Sequence, residues 1–100
     1  MGWATPYIEK LKQGETVQFR PRGNSMAGKI ESEQLCTLVP ANAGNLNVGD
    51  IVLCKVNGRE YLHLIKAVRG QRFQIGNNRG RINGWVAAAA VFGKCVRVED

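Results

Sequence analysis

The sequence predicts an all-β (mainly β) fold, a coiled β-sheet or partly open barrel with one short N-terminal helix. Three observations carry this reading. Short runs of alternating apolar and polar residues recur at close spacing from Thr16 to Val98, the period of half-buried strands. Asn57-Gly58 separates two such runs, and both residues tolerate the positive φ that a two-residue hairpin turn requires. Helical spacing occurs once, near the N-terminus. A chain of 100 residues holds one core and so one domain, residues 1–100, with a helix over about 6–13 and a β region over about 16–98.

Each element has a local cause. Thr5 offers an N-cap and Pro6 suits the first helical position. Tyr7, Ile8 and Leu11 then share one face, and Gly14 stops the helix, which spans about Pro6 to Gln13. A helix that short must pack on something to persist. Thr16–Arg20 alternates as a first strand and ends at Pro21. Leu35–Val39 is the second, stopped by Pro40. Ala41–Asn47, rich in Asn and small residues, reads as a loop. Ile51–Val56 and Arg59–Val68 form the hairpin around Asn57-Gly58. Arg72–Ile75 is a fifth strand. Asn77–Gly84 reads as a Gly/Asn/Arg loop, and Ala90–Val98 closes the chain as a strand. The tetra-alanine Ala87–Ala90 fits either a strand or a helical turn.

Lys plus Arg exceed Asp plus Glu by 14 to 8, a formal charge of +6, which favours anionic partners. The N-terminus has no basic patch followed by an apolar stretch, so it does not read as a signal peptide. The longest uncharged apolar run, Trp85 to Phe92, is far short of the roughly 20 residues needed to span a bilayer. The expectation is a soluble, cytoplasmic protein with no membrane span. Cys36, Cys54 and Cys95 are odd in number and widely separated, with no Cys-x-x-Cys. They read as small buried hydrophobes in a reducing compartment rather than zinc ligands. No metal and no cofactor is expected.

Two segments carry chemistry. In Arg20-Pro21-Arg22-Gly23-Asn24-Ser25-Met26 a strand ends at proline, a glycine permits a tight turn, and a serine is presented. A serine on such a turn has an accessible hydroxyl and a free N–H for an oxyanion. The same triplet also makes an ordinary turn. The second segment, Arg59 to Val68, holds the only histidine. Period-2 counting puts Tyr61, His63, Ile65 and Ala67 on one face, and Leu62, Leu64, Lys66 and Val68 on the other. Desolvation there would keep the His63 imidazole neutral at pH 7, the form that can accept a proton as a base. A structural histidine bonded to a carbonyl is the alternative.

The order of these segments resembles the LexA-repressor and type I signal-peptidase superfamily: a strand, a Gly-x-Ser-Met turn, then Val48-Gly49-Asp50-Ile51-Val52 opening a hairpin whose second strand bears a base. The resemblance covers roughly Val17 to Val98. It implies a LexA/signal-peptidase-like sheet with Ser25 as nucleophile, and His63 where the family usually has lysine. Histidine there resembles the signal peptidases of the eukaryotic endoplasmic reticulum. Lys66 lies on the opposite face. The histidine-bearing relatives follow this strand with Gly-Asp-Asn-Asn, whose aspartate orients the imidazole. Here the segment reads Ile75-Gly76-Asn77-Asn78. Asn77, Asn78 or Asn83 is left to orient His63, and a neutral amide stabilises imidazolium less than a carboxylate does. Gly23 stands where some signal peptidases have a hydroxyl, so the oxyanion rests mainly on the Ser25 N–H. The stretch before Ser25 is too short for a DNA-binding domain and a cleavage linker, and release of such a domain by self-cleavage is not expected.

Three readings follow. The first is a serine endopeptidase of Ser/His type acting on a peptide or protein, weakened by the missing aspartate. The second is an inert relative that binds peptide or protein in the same groove. The third is a basic β-barrel module for nucleic acid, with Arg20, Arg22, Arg79 and Arg81 meeting phosphates and Trp85 or Phe73 stacking on bases. The segment Gly76–Trp85 fits either a substrate-facing loop with an anion-binding backbone or a plain hairpin connection.

Overall fold

The computed structural model describes residues 2–100. One helix, α1 (Thr5–Lys12), precedes seven strands: β1 (Val17–Phe19), β2 (Leu35–Pro40), β3 (Ile51–Val56), β4 (Arg59–Arg69), β5 (Arg72–Gly76), β6 (Ile82–Ala87) and β7 (Val91–Glu99). All seven join one sheet in the order β1-β2-β7-β3-β4-β5-β6, and every neighbouring pair is antiparallel. The edge strands β1 and β6 do not pair with each other, so the sheet is open and not closed into a barrel.

The sheet is nevertheless strongly curled. Both faces of the β3–β4 hairpin are buried, because alternate residues enter two cores. Leu53, Leu62 and Leu64 join Ile8 and Leu11 of α1, with Leu38 and Phe19, on one side. Val52, Cys54, Val56 and Ile65 join Phe73, Ile75 and Val86 on the other. Bulges at Leu53/Cys54, Ile65/Ala67 and Ile75/Gly76 bend the strands. The curl brings β6 back over β3: a Cβ on Gly84 would stand 3.2 Å from Val56 Cγ1. Leu53 and Leu38 are fully buried, and each such side chain contributes about 1.5–3 kcal/mol by leaving water.

The sequence places β3, the Asn57-Gly58 turn and β4 correctly. Asn57 and Gly58 have φ of 51° and 79°, the paired positive values of a type I′ turn. Other expectations are corrected. Thr5 does not cap α1. Ala4 occupies the cap position without a side-chain bond, and the capping is done from β4. There Glu60 accepts from the Ala4 N–H and the Thr5 hydroxyl, each at 2.6 Å. Pro40 closes β2 instead of stopping it. The expected loop Asn77–Gly84 is only Asn77–Arg81, because Ile82–Ala87 is a strand. Of the two readings of the tetra-alanine, the helical turn is the one observed: Ala88–Ala90 form a single 3₁₀ turn before β7.

Candidate active site

The serine turn is fixed by its neighbours. Gly23 has φ of +110° with open space around its missing Cβ, so the chain reverses without strain. Met26 and Ile30 sink into the first core, and the Ile30 and Lys29 N–H groups donate to the Met26 carbonyl. Methionine thus anchors the turn while Ser25 points away from the core. Asn78 clamps it from the β5–β6 hairpin: its N–H donates to the Ser25 carbonyl at 3.0 Å, and its amide nitrogen donates to the Ala27 carbonyl at 2.7 Å.

From β4, His63 reaches this turn. Its Nε2 lies 3.3 Å from Ser25 Oγ, and its Nδ1 lies 2.7 Å from Asn83 Oδ1. An amide oxygen only accepts, so Nδ1 carries the proton and donates to Asn83. The Nε2 lone pair is then free to accept from the Ser25 hydroxyl. A separation of 3.3 Å is at the long end for such a bond. Tyr61 stacks on the imidazole at 4.9 Å between centroids and shields one ring face. His63 is 8% exposed, the one buried polar side chain among the described residues. Burial holds its pKa below the ordinary 6.5, and the Arg81 charge adds to this, while the Asn83 hydrogen bond pulls the other way.

Of the three asparagines considered as orienting groups, only Asn83 bonds to the imidazole. Asn78 holds the serine turn. Asn77 closes its own hairpin, with Oδ1 accepting from the Arg79 and Arg81 N–H groups. Those N–H groups are therefore occupied, which removes the anion-binding backbone considered for this loop. The loop still sets Arg81 beside the site. The N–H of Ser25 has no acceptor among the described residues and remains available to a ligand.

Ser25, His63, Asn83 and Arg81 line a cleft of about 680 Å³, which also takes in Arg20, Arg22, Gly23, Arg59, Glu60 and Trp3. Three of the four arginines expected at an anion site line it; Arg79 does not. Phe73 is 2% exposed in the core, so it cannot stack on a base. Trp85 lies under the Arg69 guanidinium at 5.6 Å, outside the cleft. The sequence reading missed Trp3, Arg59 and Glu60. It had Tyr61 on the histidine face but gave it no role.

Burial pushes the Cys54 and Cys36 thiols up to about 12. Both stay protonated and behave as core side chains; Cys95 is only half-buried. Among the described residues no three His, Cys, Asp or Glu side chains gather as a metal-binding group. No helix there is long and apolar enough to cross a membrane. Compared with known protein families, curated proteins and solved structures, the chain matches none.

Proposed function

We propose that this chain is a serine peptidase of Ser/His type, with Ser25 as nucleophile, His63 as general base and Asn83 as the group that orients the base. The carrying observation is the hydrogen-bonded series Ser25 Oγ, His63 Nε2, His63 Nδ1, Asn83 Oδ1 at 3.3 and 2.7 Å. Nucleophile, base and orienter stand in the order that activated serines need. The resemblance to the LexA and signal-peptidase superfamily, with histidine in place of lysine, supports the same roles.

Ser25 Oγ attacks the scissile carbonyl carbon as its proton passes to His63 Nε2. Negative charge develops on the carbonyl oxygen, where the Ser25 N–H is the available donor. The C–N bond then breaks, the departing amine takes the proton from His63, and the acyl group stays on Ser25. A water gives a proton to His63 and attacks the ester carbon. The ester bond breaks, the acid leaves, and the proton returns to Ser25. Burial keeps His63 unprotonated at neutral pH, the state in which it accepts a proton. Asn83 offers the nascent imidazolium a dipole and no charge, so the rate falls below that of an aspartate-bearing enzyme.

The test is covalent. A fluorophosphonate probe, read by intact mass, is expected to add once to the wild type and not to Ser25→Ala. An unlabelled wild type supports an inert peptide-binding relative instead.

A further inference from the structure

The cleft around Ser25 carries more positive than negative charge. Arg20, Arg22, Arg59 and Arg81 line it against Glu31 and Glu60. Glu60 is already engaged, since both its carboxylate oxygens accept bonds from the start of α1. Arg20 donates to the Glu33 carbonyl, and Arg22 lies 3.8 Å from the Glu33 carboxylate. Arg59 and Arg81 make no ion pair among the described residues. The backbone of Arg81 is held on both sides by Asn77: its N–H donates to Asn77 Oδ1 and its carbonyl accepts from the Asn77 N–H, each at 2.9 Å. An uncommitted guanidinium is thus set on a clasped hairpin next to the general base.

We propose that the cleft selects peptides bearing an acidic side chain close to the scissile bond, with the carboxylate pairing with Arg81 and with Arg59 as the second cation. This rests on the hydrolytic reading above and names its substrate class. The chemistry of the site favours it twice. Arg81 opposes a positive charge on His63, and Asn83 does nothing to offset that. A substrate carboxylate on Arg81 cancels the opposition as the imidazolium forms, so it supplies part of the charge that the triad lacks. The acidic group then assists the reaction step as well as binding. A nucleic acid fits less well. Glu31 and Glu60 interrupt the run of arginines that would follow a phosphate backbone.

The experiment separates binding from hydrolysis. Fluorescein-labelled Ala-rich octapeptides carrying a single Glu, and the same peptides with Gln, are titrated against Ser25→Ala by anisotropy. The Glu series is expected to bind about fivefold more tightly at low ionic strength, the size of one exposed ion pair. Arg81→Gln combined with Arg59→Gln in the Ser25→Ala background, or added salt, removes the difference. With the wild type, the Glu series also shows the higher kcat. Equal binding of the two series overturns the inference, as does tighter binding of an oligo-thymidine strand than of the Glu series. Fluorophosphonate labelling of Ser25 reads the hydrolytic function separately. Labelling without acid preference removes this inference alone, whereas acid preference without labelling removes the hydrolytic function and leaves an acid-selective binding cleft.

Discussion

Replacing Asn83 with aspartate supplies the charge that the site lacks. The change swaps an amide oxygen for a carboxylate oxygen 2.7 Å from His63 Nδ1, with almost no change of shape. In the Ser-His-Asp proteases the reverse exchange costs roughly 10⁴-fold because the amide imposes the wrong imidazole tautomer. Here the amide presents its oxygen, so the tautomer is already correct and only the charge is missing. A neutral hydrogen bond contributes about 1 kcal/mol and one to a charged group about 1.5–3 kcal/mol. The gain for imidazolium over imidazole is therefore about 1 kcal/mol, since the site is only part-buried and Arg81 stands nearby. One kcal/mol in the proton-accepting step is about a fivefold rate increase. Asn83→Asp is expected to speed Ser25 acylation by that amount and to raise the His63 pKa. The chain has one histidine, so its imidazole carbon-bound protons give an isolated NMR titration. A folded Asn83→Asp protein whose His63 titration is unmoved, or whose acylation is slower, refutes the assignment of Asn83 as orienter.

Three further outcomes follow from the same contacts. Asn78→Asp keeps the shape but loses the donor to the Ala27 carbonyl. It is expected to cost about 1 kcal/mol in urea unfolding and to lower kcat of acylation, with the His63 titration unmoved. Glu60→Gln loses the acceptor for the Thr5 hydroxyl and is expected to cost about 1 kcal/mol, with earlier exchange of the α1 amide hydrogens. Burial pushes the Glu60 carboxyl up, but bonds from Thr5 and Ala4 and the Lys55 charge outweigh it and hold it below 4.5. His63 is likewise held below its ordinary 6.5 by burial. In both cases the unfolded chain binds more protons than the folded one between the two pKa values. Stability is therefore expected to fall as pH drops through 6.5, and again below 4.5. His63→Gln flattens the first slope and Glu60→Gln the second; slopes unchanged in those variants contradict the two contributions.

What the sequence disclosed depends on whether the cause is local. The β3–β4 hairpin was legible because Asn57-Gly58 sets the turn, and alternation sets the faces as far as Ile65, where a bulge interrupts it. The approach of Ser25 to His63 was legible only through the order of motifs. Strand β6 was hidden because Asn83-Gly84 breaks the alternation and reads as loop. In the fold, Gly84 has φ of +146° and sits close over Val56, where a side chain would crowd the second core. That strand decides among the three asparagines, since it carries Asn83 to the imidazole while Asn77 and Asn78 stay in the turn. Glu60 capping α1 across the chain left no local signal, because Thr5-Pro6 already resembles a self-capped helix start. The pull of Arg81 on His63 likewise exists only once the β5–β6 hairpin has closed.

The most direct measurement compares two titrations on one sample: the pH dependence of fluorophosphonate addition to Ser25, and the NMR titration of His63. If the imidazole removes the serine proton, the two midpoints coincide below 6.5, and both move up together in Arg81→Gln. A reaction whose midpoint ignores that of His63, or an adduct mapped to any residue but Ser25, contradicts the pairing.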